Sequence, residues 1–154
     1  MLTAAVGGWL NPSEGTLIAE FTLPTVTSSG LNAFVLDVSN GTTTNAFGVF
    51  ASADASAASA MTSEAVSQAA PFVPSAIQAN TIERIAYAWK QDSVQLACGG
   101  TLGTEDTSAT IPTGLTTISF GLRGVGSFPL FGHLRRVSYI PRRVSNAELR
   151  ALSL

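Results

Sequence analysis

Five arginines, Arg135, Arg136, Arg142, Arg143 and Arg150, fall in the last twenty residues of a chain with only eight basic side chains. Guanidinium groups at this density can hold an anion or dock a neighbouring subunit, and Arg135, Arg136, Arg142 and Arg143 are the candidates. A solvated strand edge followed by a turn reads the same way. Catalytic groups are harder to find. His133 is the only histidine and has no Gly-x-Ser-x-Gly elbow, so a Ser-His-Asp arrangement has no support. The acidic residues are scattered, and the adjacent Glu105 and Asp106 follow Gly103 in turn-like sequence. Gly121, Gly124 and Gly126 in GLRGVGSF lack the helix start and Lys-Ser/Thr of a phosphate loop. These observations predict a protein that is not an enzyme.

Sugar recognition asks for aromatic platforms and planar polar groups on loops. Trp9 is one platform, and the loops Asn40 to Asn45 and Arg123 to Phe128 could line a shallow groove. Trp9, Asn40, Asn45 and Arg123 are therefore candidate carbohydrate contacts. Trp89 alternates with Tyr87 and Ile85, which predicts a core position instead.

Those side chains need a frame, and the composition limits it. A chain of 154 residues with 45% hydrophobic residues is one domain with a real core, expected to span 1–154. Only 12% of residues are charged, so solubility rests on Ser, Thr, Asn and Gly. The net charge of −2 gives no broad attraction for nucleic acid. No apolar run is long enough to span a membrane as a helix, and the N-terminus lacks the pattern of a signal peptide. The lone Cys98 excludes an intrachain disulfide and sits in a strand-like run that predicts a buried, inert thiol.

Short alternating segments separated by turn residues predict an all-β protein, an antiparallel sandwich of jelly-roll type with a short C-terminal helix. Strands are expected over Thr16–Leu23, Ala33–Val38, about Ala46–Phe50, Thr81–Lys90, Ser93–Cys98, Leu115–Leu122 and Leu134–Ile140. Asn40-Gly41 between apolar runs is a hairpin signal. The Ala/Ser-rich stretch 51–70 shows no apolar stripe, and its neighbours favour a strand near Thr62–Ala69. At the C-terminus, Ser145 and Glu148 form a capping box, and Val144 and Leu149 a hydrophobic staple. Leu134 lies three residues before Val137, so an inward face including both requires a β-bulge at Arg135-Arg136.

The ending GHLRRVSYIPRRVSNAELRAL resembles the C-terminal signature of concanavalin A-like, laminin-G-type jelly-roll domains. Gly132, Leu134, Val137, Tyr139, Arg142, Arg143, Val144, Ser145 and Glu148 fill the matching positions. The opening GGWLNPSEGTLIAEF is similar to the first strand of the versions found in bacteriophage structural proteins. Glucanases of that family carry a Glu-x-Asp-x-x-Glu run, which is absent here. Calcium is the remaining chemistry the resemblance implies; Asp37, Asn40 and Asn45 around the hairpin, and Asp92 or Asp106 elsewhere, are oxygen donors without diagnostic spacing, so no metal or other cofactor is expected.

The resemblance implies a non-enzymatic virion component, a capsid decoration protein or part of a tail or head fibre. Such a protein would be made in the bacterial host cytoplasm and found in the virion. Its partners would be other virion proteins and itself, as a homo-oligomer such as a trimer. The alternative function is a carbohydrate-binding module attaching to host-surface glycans.

Overall fold

The computed structural model describes residues 2–25 and 32–154. Two antiparallel sheets face one another. In the first, β1 (Leu2–Ala5), β11 (Thr117–Phe120), β3 (Ala33–Ser39), β4 (Ala46–Ala51), β5 (Ala57–Ser63) and β6 (Val66–Ala69) lie side by side. The short β7 (Phe72–Val73) pairs with the other end of β5. In the second sheet the order is β10 (Thr101–Leu102), β9 (Ser93–Cys98), β8 (Glu83–Lys90), β2 (Glu14–Thr22) and β12 (His133–Ile140). The helix α1 (Asn146–Leu152) follows. This is the expected antiparallel sandwich with a short C-terminal helix.

The period-2 pattern decides which faces meet. Leu17, Ala19 and Phe21 of β2 and Ile85, Tyr87 and Trp89 of β8 point between the sheets and are buried. Phe47 of β4 reaches across to Trp89, with ring centroids 4.6 Å apart. The ring series continues from Trp89 to Tyr139 at 6.3 Å, and from Tyr139 to Trp9 at 5.3 Å. It ends at the surface, because Trp9 is 43% exposed whereas Trp89 is fully buried. Cys98 is buried as well, and desolvation followed by the nearby Glu83 charge pushes its thiol up to about 12.

The second face of β8 is covered too. Ala86 and Ala88, with Ile18 of β2 and Ala97 of β9, form a floor of small side chains against which Val144 and Leu149 pack. A seven-residue helix is not stable alone, so this docking holds it. The capping box is present: Ser145 accepts from the Glu148 amide, and the Glu148 carboxylate accepts from the Ser145 amide. The expected bulge in β12 is also present, as a register shift between Leu134 and Arg136.

The hairpin marked by Asn40-Gly41 joins β3 to β4, its loop running to Asn45 and closed by the Asn40 amide donating to the Asn45 carbonyl. One local expectation is corrected. Thr62–Ala69 is not one strand, because the chain reverses at Glu64-Ala65 to form the β5–β6 hairpin. Both turn residues have positive φ, 52° and 65°, without the Asn or Gly that usually marks such a turn.

Candidate functional site

Three strands of the second sheet each carry a charged residue at one level. Arg136 of β12 lies opposite Glu20 of β2, and Glu20 lies opposite Arg84 of β8. All three belong to the outer face, since their neighbours Phe21, Ala19 and Ile85 point inward. The next level holds Ser138, Ile18 and Ala86 in register. Between this row and the last turn of α1 lies a recess of about 220 Å³, lined by Ile18, Glu20, Arg84, Arg136, Ser138 and Leu152.

The electrostatics of the row are uneven. Arg84 Nη2 donates to Glu20 Oε1 at 2.9 Å, and Arg84 Nη1 donates to the Leu154 carbonyl. Arg136 is exposed and has no ion pair among the described residues. Arg84 is thus held by Glu20 and Leu154, and the Arg136 guanidinium stands without an ion pair among the described residues beside the apolar Ile18 and Leu152. Such a shelf can take an anion at Arg136 and a nonpolar ring face or methyl group on Ile18 and Leu152.

Arg142, Arg143 and Arg150 are held within the chain, Arg150 by donating to the Gly100 carbonyl at 2.7 Å. Arg142 makes a two-pronged pair with Glu148, 2.9 and 3.3 Å, and Arg143 pairs with Glu105 at 2.9 Å. Arg135 is exposed at the bulge next to Arg136. His133 is exposed at the start of β12.

The residues suggested as sugar contacts occupy separate places. The Trp9 indole donates to the Ala5 carbonyl at 2.8 Å and packs edge-on against Tyr139 of the second sheet. Asn40 and Asn45 sit in the turn joining two strands of the first sheet; Asn40 Oδ1 accepts from Thr42, and Asn45 Oδ1 from the Glu64 amide. Arg123 lies over the Phe34 and Phe128 rings, 5.5 and 6.0 Å from their centroids. Its neighbour Gly124 donates to the buried Asp37 carboxylate at 2.9 Å. Burial pushes the Asp37 carboxyl above the usual range, against the opposing pull of the Gly124 amide, Arg123 and Ser39. Asp37, Asn40 and Asn45 therefore spend these oxygens on internal donors. Among the described residues no group of three His, Cys, Asp or Glu side chains is arranged to hold a metal.

No family model matches the chain, and no curated protein matches its sequence. Solved structures do match its shape. The CBM40 module of the Ruminococcus gnavus IT-sialidase, bound to α2,3-sialyllactose, superposes with a TM-score of 0.77 at 17% identity. That match covers 92% of this chain and 82% of the module. The fold is a lectin-like jelly roll. The NanB sialidase of Streptococcus pneumoniae matches 97% of this chain over 26% of its own length, with a TM-score of 0.75 and 13% identity. A heptameric pentraxin from Limulus polyphemus follows at 0.64 and 11%, covering 92% of this chain and 70% of the pentraxin. At these identities the likeness is one of architecture, and it carries no residue of those proteins onto this one.

Sequence reading missed the Arg136–Glu20–Arg84 row. Its signal lay in the outward positions of three strands that are distant in sequence. Only the strand order places them side by side.

Proposed function

We propose that this chain is a carbohydrate-binding module that takes an acidic sugar on the outer face of the second sheet. The observation that carries the proposal is the exposed Arg136, without an ion pair among the described residues, beside the Ile18 and Leu152 floor. A sialylated or uronic-acid glycan supplies a carboxylate for Arg136, hydroxyls for Glu20 and Ser138, and an apolar face for Ile18. The shared architecture with a sialyllactose-bound module supports the choice of ligand class.

A glycan array followed by titration with sialyllactose and plain lactose tests it. Acidic glycans bind, lactose does not, and Arg136→Ala weakens binding at least about tenfold, as loss of a charge-assisted hydrogen bond should. Trp9→Ala leaves binding unchanged if the sheet face is the site. Loss of binding with Trp9→Ala alone would move the site to the rim, and silence toward every acidic glycan would end the proposal.

The virion setting is narrower. Its support is the likeness of the opening motif to bacteriophage structural domains, and none of the three similar structures is described as a virion protein. In that setting the module attaches a particle to host-surface glycans as part of a decoration protein or fibre. Binding to empty capsids, or a stable homo-oligomer in solution, is the matching measurement.

A further inference from the structure

A second recess of about 370 Å³ opens where β7, β8 and β9 meet, away from the charged row. Its size falls in the range of small-molecule sites. Glu83, the first residue of β8, shares the inward side with Ile85 and Tyr87 and is only 6% exposed. One carboxylate oxygen accepts from the Gln78 amide at 2.8 Å. The other accepts no hydrogen bond among the described residues, and the side chain lines the recess. Ser75, Gln78, Thr81 and Thr101 surround it, and no lysine or arginine lines the walls.

A carboxylate this far from water normally has a cation beside it, because desolvation without a partner is costly. Among the described residues Glu20, Glu105 and Glu148 each pair with an arginine, whereas Glu83 has no ion pair. The recess is large enough to admit a small amine.

We propose that this recess binds the primary ammonium group of a small polar molecule, with Glu83 accepting from the ammonium and the surrounding hydroxyls and Gln78 meeting its carrier. An acetylated nitrogen carries no charge and forfeits the main interaction. The proposal stands independently of glycan binding on the sheet face.

Nitrogen-15 spectra recorded during titration with glucosamine, N-acetylglucosamine and putrescine test it. Glucosamine is expected to move the amides of Gln78, Glu83 and Thr101, while N-acetylglucosamine leaves them in place. Putrescine tells the source apart: it binds as well as glucosamine if the ammonium suffices, and more weakly if the sugar hydroxyls contribute. Glu83→Gln keeps an acceptor for the Gln78 amide and should weaken glucosamine at least about tenfold. Thr101→Lys, at an exposed position, places an ammonium in the recess and should block it without disturbing the core. Equal binding of the acetylated sugar, no shifts with glucosamine, or unchanged affinity in both variants would overturn the assignment. Acidic-glycan binding measured on the same variants stays as in the wild type, so failure here leaves the sheet-face site standing.

Discussion

The Arg143 guanidinium meets the Glu105 carboxylate at 2.9 Å, with only 8% of the arginine side chain exposed. Glu105 also accepts from Ser93 Oγ at 2.5 Å and from Asn146 Nδ2 at 2.9 Å. One carboxylate thereby ties β9, the turn after β12 and the first residue of α1 together. The pair is an internal fastener.

Glu105→Ala should therefore cost more than a surface ion pair does. It leaves Arg143 buried beside no carboxylate, and the expected loss is about 3 kcal/mol, the low end for a broken buried pair. The low end applies because 29% of the Glu105 side chain remains exposed. Urea unfolding measures it; a loss under about 1 kcal/mol would show that the pair behaves as if solvated.

Acid should loosen the helix. Hydrogen bonds from Arg142 and Ser145 hold the Glu148 carboxyl at about 2, against the ordinary value of 4.5. Ser93 and Asn146, helped by the Arg143 charge, lower Glu105 as well. Both values are depressed by folding, so the stability they confer is present above about 4.5 and is lost as pH falls toward 2. Amide protection of Leu149 to Leu152 should decline through this window before that of the sheets. Simultaneous loss everywhere would contradict the local origin.

Asp37 has the opposite sign. Its carboxyl is raised by burial, so its contribution favours folding at low pH and is lost as pH rises through the folded-state value. Asp37→Asn keeps an acceptor for the Gly124 amide. It should raise the thermal midpoint at neutral pH and leave it nearly unchanged in acid. An equal shift at both pH values would rule out the charge as the cause.

Gly15 and Tyr87 probe the core from two directions. A Cβ at Gly15 would lie 2.6 Å from Trp89 Cη2 and 3.0 Å from Tyr139 Cε2, so Gly15→Ala should destabilise by about 1–3 kcal/mol. The Tyr87 hydroxyl is buried with no hydrogen-bond partner among the described residues. Tyr87→Phe removes an unsatisfied group and should be neutral or stabilising by about 1 kcal/mol. Denaturation midpoints decide both, and a destabilised Tyr87→Phe would reveal a partner for that hydroxyl.

The C-terminal latch was legible because its information is local. A capping box needs only Ser145 and Glu148 three residues apart, and the bulge shows in the spacing of Leu134 and Val137. The β5–β6 hairpin was not, because Ala57, Ser59 and Ser63 face inward while Ala58 and Ala60 face partly outward. Alanine on both faces, with serine on the inward one, leaves no apolar alternation to read. β1 escaped notice since its pairing partner β11 lies more than a hundred residues away. The charged row escaped for the same reason: Glu20, Arg84 and Arg136 become neighbours only through the order of β2, β8 and β12.

The ring series from Phe47 through Trp89 and Tyr139 to Trp9 has an optical consequence. The molecule contains two indoles in opposite surroundings, one fully enclosed and one 43% open to water. Iodide should quench only the redder emission of Trp9, leaving a blue component that persists until the sandwich opens. A ligand settling near the rim would shade Trp9 and spare Trp89, so one cuvette can tell occupancy from unfolding without any attached dye.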